Sequence, residues 1–89
     1  MLAIEFTTQF KRDAKLSKKR GKDSGKLEEI IDLLLEERPI PEKHRDHPLS
    51  GNYKDHRECH IEPDWLLIYI KGKTYIKLVR TGTHSDLFS

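Results

Sequence analysis

Eighty-nine residues suffice for one small domain, 1–89, which buries only about 60 to 70% of the surface its unfolded chain would expose. Hydrophobic residues are 35% and charged residues 36% of the chain, but the apolar ones fall in runs, which favours a folded module over disorder; a net charge of +2 is too small to argue for nucleic acid by itself. One cysteine, Cys59, excludes an internal disulfide, and no apolar run approaches the roughly 18 residues of a membrane span, so the composition points to a soluble protein of a reducing cytoplasm.

In chain order, Leu2, Ile4 and Phe6 alternate with Ala3 and Glu5, the pattern of a half-buried strand. Thr7 or Thr8 then caps a helix over about 9–20, whose apolar face is thin: Phe10, Ala14 and Leu16. Its outer face begins a basic cluster of eight residues between Lys11 and Lys26, including Lys15, Lys18, Lys19 and Arg20, whereas Glu28 to Glu37 holds five acidic residues and no basic one. Asp23 or Ser24 caps a second helix, in which Leu27, Ile30, Ile31, Leu34 and Leu35 recur at i, i+3, i+4, i+7 and i+8. Pro39 and Pro41 end it. A polar loop follows to Asn52, with Leu49 as its apolar anchor.

The alternation from Tyr53 to Ile61 predicts a strand with Arg57, Cys59 and Ile61 on one face and His56, Glu58, His60 and Glu62 on the other. Glu62-Pro63-Asp64 makes a turn into a β-hairpin, whose apolar runs flank Lys71-Gly72-Lys73. A three-residue hairpin loop places Asp64 opposite Arg80 and Ile68 opposite Ile76; a two-residue loop places Arg80 opposite Trp65. Because Trp65 to Ile70 is apolar on both faces, this strand is central and covered on both sides. The fold class is therefore α+β in the order β-α-α-β-β-β, an antiparallel sheet packed against a helical hairpin.

Four of the five histidines lie between His44 and His60. With Cys59 they offer zinc-ligand types, but in a strand His56 and His60 stand roughly 13 Å apart, too far to share an ion. No metal ligand and no cofactor is assigned. Ser50, Ser85 and Cys59 lie in no nucleophile motif. His44 and His56 are read as surface groups, whereas His47, His60 and His84 come from separate pieces of chain to the neighbourhood of Asp64 and Arg80. Imidazoles exchange protons near neutral pH, a carboxylate orients an imidazole or acts as base, and an arginine fork holds phosphate. Such a set fits metal-free RNA cleavage by the neighbouring 2′-hydroxyl, and DNA lacks that nucleophile. The alternative is that Arg80 and Asp64 form a surface ion pair.

His47-Pro48-Leu49 followed by Gly51, then His60-Ile61-Glu62-Pro63-Asp64-Trp65-Leu66-Leu67-Ile68-Tyr69, and Arg80-Thr81-Gly82-Thr83-His84-Ser85-Asp86-Leu87-Phe88 resemble the YafQ branch of the RelE/ParE toxin superfamily over nearly the whole chain. The resemblance implies a toxin of a type II toxin-antitoxin pair that cleaves mRNA in the ribosomal A site, with a cognate antitoxin, the ribosome and mRNA as partners. It implies an active-site set of His47, His60, Asp64, Arg80, His84 and Phe88. In that set Arg80 stabilises the scissile phosphate, His84 is general acid or base, His60 with Asp64 makes the complementary proton transfer, His47 supports charge or positions the phosphate, and Phe88 seats a base. Lys11, Lys15, Lys18, Lys19 and Arg20 then grip ribosomal RNA. Two departures stand out: Tyr53 where the branch can have tryptophan, and Cys59 where a smaller inert side chain can sit. The same scaffold also hosts non-catalytic gyrase inhibitors and purely interacting members, for which proton-transfer groups have no use.

Overall fold

The structure is a computed structural model that describes residues 1–88. Its elements are β1 (Ala3–Phe6), α1 (Thr8–Lys19), α2 (Ser24–Leu35), β2 (His47–Pro48), β3 (Arg57–Glu62), β4 (Trp65–Lys71), β5 (Tyr75–Gly82) and α3 (His84–Phe88). The predicted α+β order is present, with two short additions, β2 and α3. The five strands lie in the order β1-β5-β4-β3-β2. All neighbours are antiparallel except β1, which runs parallel to β5 with Ala3 beside Tyr75 and Phe6 beside Leu78. The three consecutive strands at the end of the chain dictated the antiparallel part; nothing local specified the partner of the first strand.

Both helices begin where short polar side chains satisfy free backbone N–H groups. The Thr7 hydroxyl accepts from the Phe10 N–H at 2.9 Å, and the Asp23 carboxylate accepts from the Gly25 N–H at 2.9 Å. α2 stops before its prolines. The Glu37 backbone is left-handed at φ 56, and the Arg38 N–H donates to the Leu33 carbonyl at 2.9 Å, a Schellman closure that leaves Pro39 and Pro41 outside the helix.

As expected, β4 is central and covered on both sides. Trp65, Leu67 and Tyr69 pack with Cys59, Ile76 and Leu78 beneath Phe10, Leu27, Ile30 and Leu34 of the two helices. Leu66 and Ile68 face the other way, against Leu87 of α3 and the half-buried Leu49, Tyr53 and Val79. Trp65 belongs to the core: it is 2% exposed, and its ring N–H donates to the Thr81 hydroxyl at 3.0 Å. Burial pushes the Cys59 thiol up to about 12, so the cysteine is a small apolar core residue and no ready nucleophile.

Two apolar assignments shift. β1 lies on the surface, with Ile4 43% and Phe6 45% exposed, because it is an edge strand and the helices cover β3 to β5 instead. On α1 the inward residues are Phe10, Asp13, Ala14 and Ser17, at i, i+3, i+4 and i+7, while Leu16 points out. The helical stripe looked thin because two of its inward positions are polar.

The hairpin register also differs from both expected pairings. Ile68 faces Arg80 and Leu66 faces Gly82, but Tyr69 faces Leu78, so Val79 is an extra residue, a β-bulge in β5. The Thr7 hydroxyl donates to the bulge carbonyl of Val79 at 2.7 Å, which ties the start of α1 to the residue before Arg80. At the tip the Gly72 N–H donates to the Tyr75 carbonyl at 2.9 Å, and a Cβ at Gly72 would collide with the Tyr75 ring. The tip and bulge together carry Arg80 away from Asp64. Among the described residues no helix is long and apolar enough to cross a membrane.

Candidate active site

The sheet face opposite the two long helices carries the reactive groups. β2 pairs with β3 so that His47 stands opposite Glu58, and His60 lies two residues further along the same face of β3. The Glu58 side chain is almost buried, and one of its oxygens, Oε1, lies 3.2 Å from His60 Nε2 and 3.6 Å from His47 Nε2. A single carboxylate thus holds two imidazoles. Backbone oxygens fix their other nitrogens: Arg45 O for His47 Nδ1 and Pro63 O, at 3.3 Å, for His60 Nδ1. Both nitrogens of each ring face acceptors, so each ring is oriented from both ends.

α3 brings the third imidazole. The His84 ring centroid is 5.6 Å from that of His60, and the His60 and His47 centroids are 6.3 Å apart. Asp64, on the turn between β3 and β4, accepts both from the His84 backbone N–H at 2.9 Å and from His84 Nδ1 at 2.6 Å. This leaves His84 Nε2 directed away from the pair. The His84 backbone N–H first, and its ring second, hold the Asp64 carboxyl below the usual carboxylate range. A carboxyl whose folded pKa lies below its unfolded one adds stability that is full above about pH 4 and is lost as the pH falls through the depressed value. A carbon-13 carboxyl titration should therefore place Asp64 below an unfolded reference peptide, and a value at or above that reference would contradict the contact.

Arg80 does not pair with Asp64; it stands on β5 opposite Ile68, whose other neighbour, on β3, is Glu58. Arg80 Nε donates to Asp13 Oδ2 at 2.7 Å and its Nη2 to Asp13 Oδ1 at 3.2 Å. The Thr81 N–H at 3.2 Å and the Gln9 side-chain amide at 3.0 Å complete the shell of this buried carboxylate. Asp13 reinforces the charge of the guanidinium and fixes one edge of its fork, and Tyr53 lies against the same guanidinium. Tyr53 stands beside Arg80 and meets the half-exposed Phe88 edge-on at 5.8 Å, a small aromatic corner.

The chain therefore gathers His47, His60, Asp64 and His84, with Arg80 and Phe88 alongside. It does not join His60 to Asp64: the partner of Asp64 is His84, and that of His60 is Glu58. Sequence reasoning placed Glu58 on the polar face with His60 but gave it no task, and it missed Asp13. The period-2 spacing of Glu58 and His60 was the available signal for the first; for Asp13 it was the inward helical spacing from Phe10. His44 and His56 are less free than expected. His44 is half-buried with Nδ1 2.7 Å from the His60 carbonyl, and His56 packs edge-on to Tyr53 at 5.5 Å. On α1, Lys15, Lys18 and Lys19 are exposed, Lys11 lies over the Phe6 ring at 5.0 Å, and Arg20 is engaged with Asp86 of α3 at 2.7 Å.

Comparison with known proteins bears on the family and the fold. The family model described as a bacterial toxin of type II toxin-antitoxin system, YafQ, matches residues 2–89. The mRNA interferase toxin YafQ of Escherichia coli (strain K12) is 44% identical over 86 residues, which is 96% of this chain and 94% of the relative. Among solved structures, the E. coli DinJ-YafQ complex matches with a TM-score of 0.93 at 42% identity, covering all of both chains. A metal-bound toxin from Helicobacter pylori matches with a TM-score of 0.93 at 44% identity over 99% of this chain and 100% of that one. The fold, the order of its elements and the match along the chain lead to one assignment: the chain belongs to the YafQ family of toxins of bacterial type II toxin-antitoxin systems.

Proposed function

We propose that this YafQ-family toxin is an endoribonuclease that cuts mRNA in the ribosomal A site by acid-base chemistry, with no metal cofactor, and that a cognate antitoxin neutralises it. The observation that carries the reading is the clustering of three imidazoles and two carboxylates from β2, β3, the turn after β3 and α3, with the Asp13-held guanidinium of Arg80 on β5, across Ile68 from Glu58. The relative named as an mRNA interferase and the relative solved in complex with DinJ support the substrate and the antitoxin partner.

In this mechanism a base removes the proton from a ribose 2′-hydroxyl, the oxygen attacks the adjacent phosphorus, and an acid protonates the departing 5′-oxygen. The products are a 2′,3′-cyclic phosphate and a 5′-hydroxyl. His84, held by Asp64, presents Nε2 for one proton transfer; the other runs through the His60–Glu58 pair, whose proton lies between Nε2 and the carboxylate. Arg80 and the His47 ring stabilise the charge of the phosphorane. Phe88, with Tyr53 behind it, seats a base by stacking. Side chains supply base, acid and positive charge, so no step calls on a metal ion. The exposed lysines of α1, Lys15, Lys18 and Lys19, add a sequence-independent contact to ribosomal RNA that weakens with salt; Lys11 and Arg20 border it. A gyrase inhibitor on the same scaffold would leave the imidazole cluster without a task.

Purified ribosomes programmed with a defined mRNA provide the test. Mapped 5′ ends should appear within the A-site codon, stay absent when the same RNA is free, and persist with a zinc- and copper-selective chelator while magnesium is maintained. Growth arrest on induction without any mRNA cleavage would overturn the reading, and loss of cleavage with the chelator would overturn its metal-free part.

A further inference from the structure

The reactive cluster does not sit in a closed pocket. A groove of about 1060 Å³ leads from His60, Asp64 and His84 around the turn between β3 and β4 and along the first turns of α2. One wall carries Lys22 and Lys26, and the other, formed by the short turn of Glu42–His44 and the residue after it, carries Lys43 and Arg45. The groove also touches the half-buried Leu33 and the core residues Ile30 and Ile61, which are 2% and 5% exposed. Lys43 and Arg45 are exposed and make no ion pair among the described residues, where the acidic partners taken belong to other cations. Lys22 and Lys26 share a single carboxylate, Glu62, at 3.1 and 2.8 Å. With Asp64 paired to His84, the remaining acidic groups of the groove, Glu29 and Glu62, face four cations.

We propose that this groove seats the single-stranded RNA on one side of the scissile phosphate, with Lys43 and Arg45 as standing phosphate contacts and Glu62 as an internal anion that phosphate displaces from Lys22 and Lys26. The proposal rests on the nuclease reading above, because the groove starts at the groups assigned to the reaction. Its chemistry suits a nucleic acid strand through charge: Lys22, Lys26, Lys43 and Arg45 line it for the phosphate backbone, and Leu33 is its one half-buried apolar side chain. It also separates two basic surfaces that composition merged. The lysines of α1 point outward, away from the groove, whereas Lys22 and Lys26, at the end of the same basic run, turn toward the reactive face.

Glu62 makes the idea sharp. Its carboxyl is held below the usual range by hydrogen bonds from Lys26 and then Lys22, so it stays an anion in competition with phosphate. Removing it should help binding, whereas removing an ordinary stabilising residue should not.

The experiment measures binding of a fluorescein-labelled ten-nucleotide RNA, methylated at every 2′-oxygen to block cleavage, to the full chain over a range of salt. Lys43→Ala with Arg45→Ala should weaken binding about tenfold and reduce the slope of log K against log salt by about 1.4, two contacts at about 0.7 each for a single strand. Glu62→Gln should tighten binding about threefold. Failure of the RNA to bind at low salt, or an unchanged slope in the double variant, overturns the proposal. So does weaker binding by Glu62→Gln, or displacement of the RNA by a poly-glutamate peptide at lower concentration than by unlabelled RNA, which would assign the groove to an acidic protein segment. Cleavage of programmed ribosomes by the wild-type chain, measured alongside, reports separately on the nuclease reading.

Discussion

Replacing His84 with alanine should lower the rate of mRNA cleavage on programmed ribosomes by about 10² to 10⁴, the range for loss of a positioned general acid or base. The fold should survive, because the His84 side chain is 54% exposed and the core contact of α3 is Leu87. Thermal unfolding and ribosome binding therefore serve as controls that the variant should pass. His84→Asn refines the test: its amide nitrogen takes the place of Nδ1 beside Asp64, but it transfers no proton, so it should be as slow as the alanine variant. Cleavage by either variant at the wild-type rate would remove His84 from the reaction. Cleavage restored in His84→Asn alone would make His84 a spacer that positions Asp64 and α3.

Asp13→Ala should show the other large effect, on stability and rate together. The Asp13 side chain is 8% exposed and that of Arg80 26%. Deleting the carboxylate strands the Arg80 guanidinium and removes the partner of the Thr81 N–H. Breaking a buried pair from one side costs about 3 to 5 kcal/mol; the partial exposure of Arg80 favours the lower end, about 3 kcal/mol, or a fall in Tm on the order of 15 °C for a chain of this size. Among molecules that remain folded at low temperature, cleavage should drop about 10²-fold, the consequence of a misplacement near 1 Å in a positioned group. Asp13→Asn keeps one oxygen for Arg80 Nε and should lie between wild type and alanine in both measurements. A Tm within a degree or two of wild type would contradict the buried pair, and normal cleavage would show that Arg80 acts without a fixed orientation.

The two variants probe opposite kinds of legibility. His84 could be picked out along the chain because its chemistry is local to the residue: an imidazole, shortly after an arginine and a glycine, at the end of a strand. The same holds for His47, His60 and Asp64. Asp13 could not be picked out in this way. It sits in a basic helix among lysines, where a lone aspartate reads as charge balance, and its partner Arg80 is 67 positions away. Glu58 lies between, since its alternation with His60 was visible but the arrival of His47 on β2 was not.

The sequence by itself determined what short-range physics controls. Helical spacing from Leu27 to Leu35 set α2, and the doubly apolar run from Trp65 made β4 the buried centre. Capping by Thr7 and Asp23 started the helices, and the long motifs around His60 and Arg80 carried the family. Only the tertiary structure decided who pairs with whom. A tip that leaves 72–75 between the paired Lys71 and Ile76, together with the bulge at Val79, changed the hairpin register, and such shifts change which groups meet across a sheet. Arg80 thereby passed from Asp64 to Asp13, Asp64 passed to His84, and His60 to Glu58. Local periodicity fixes the face on which a side chain lies, but pairings between distant segments depend on bulges, parallel edges and helix docking, whose energies are summed over the whole fold.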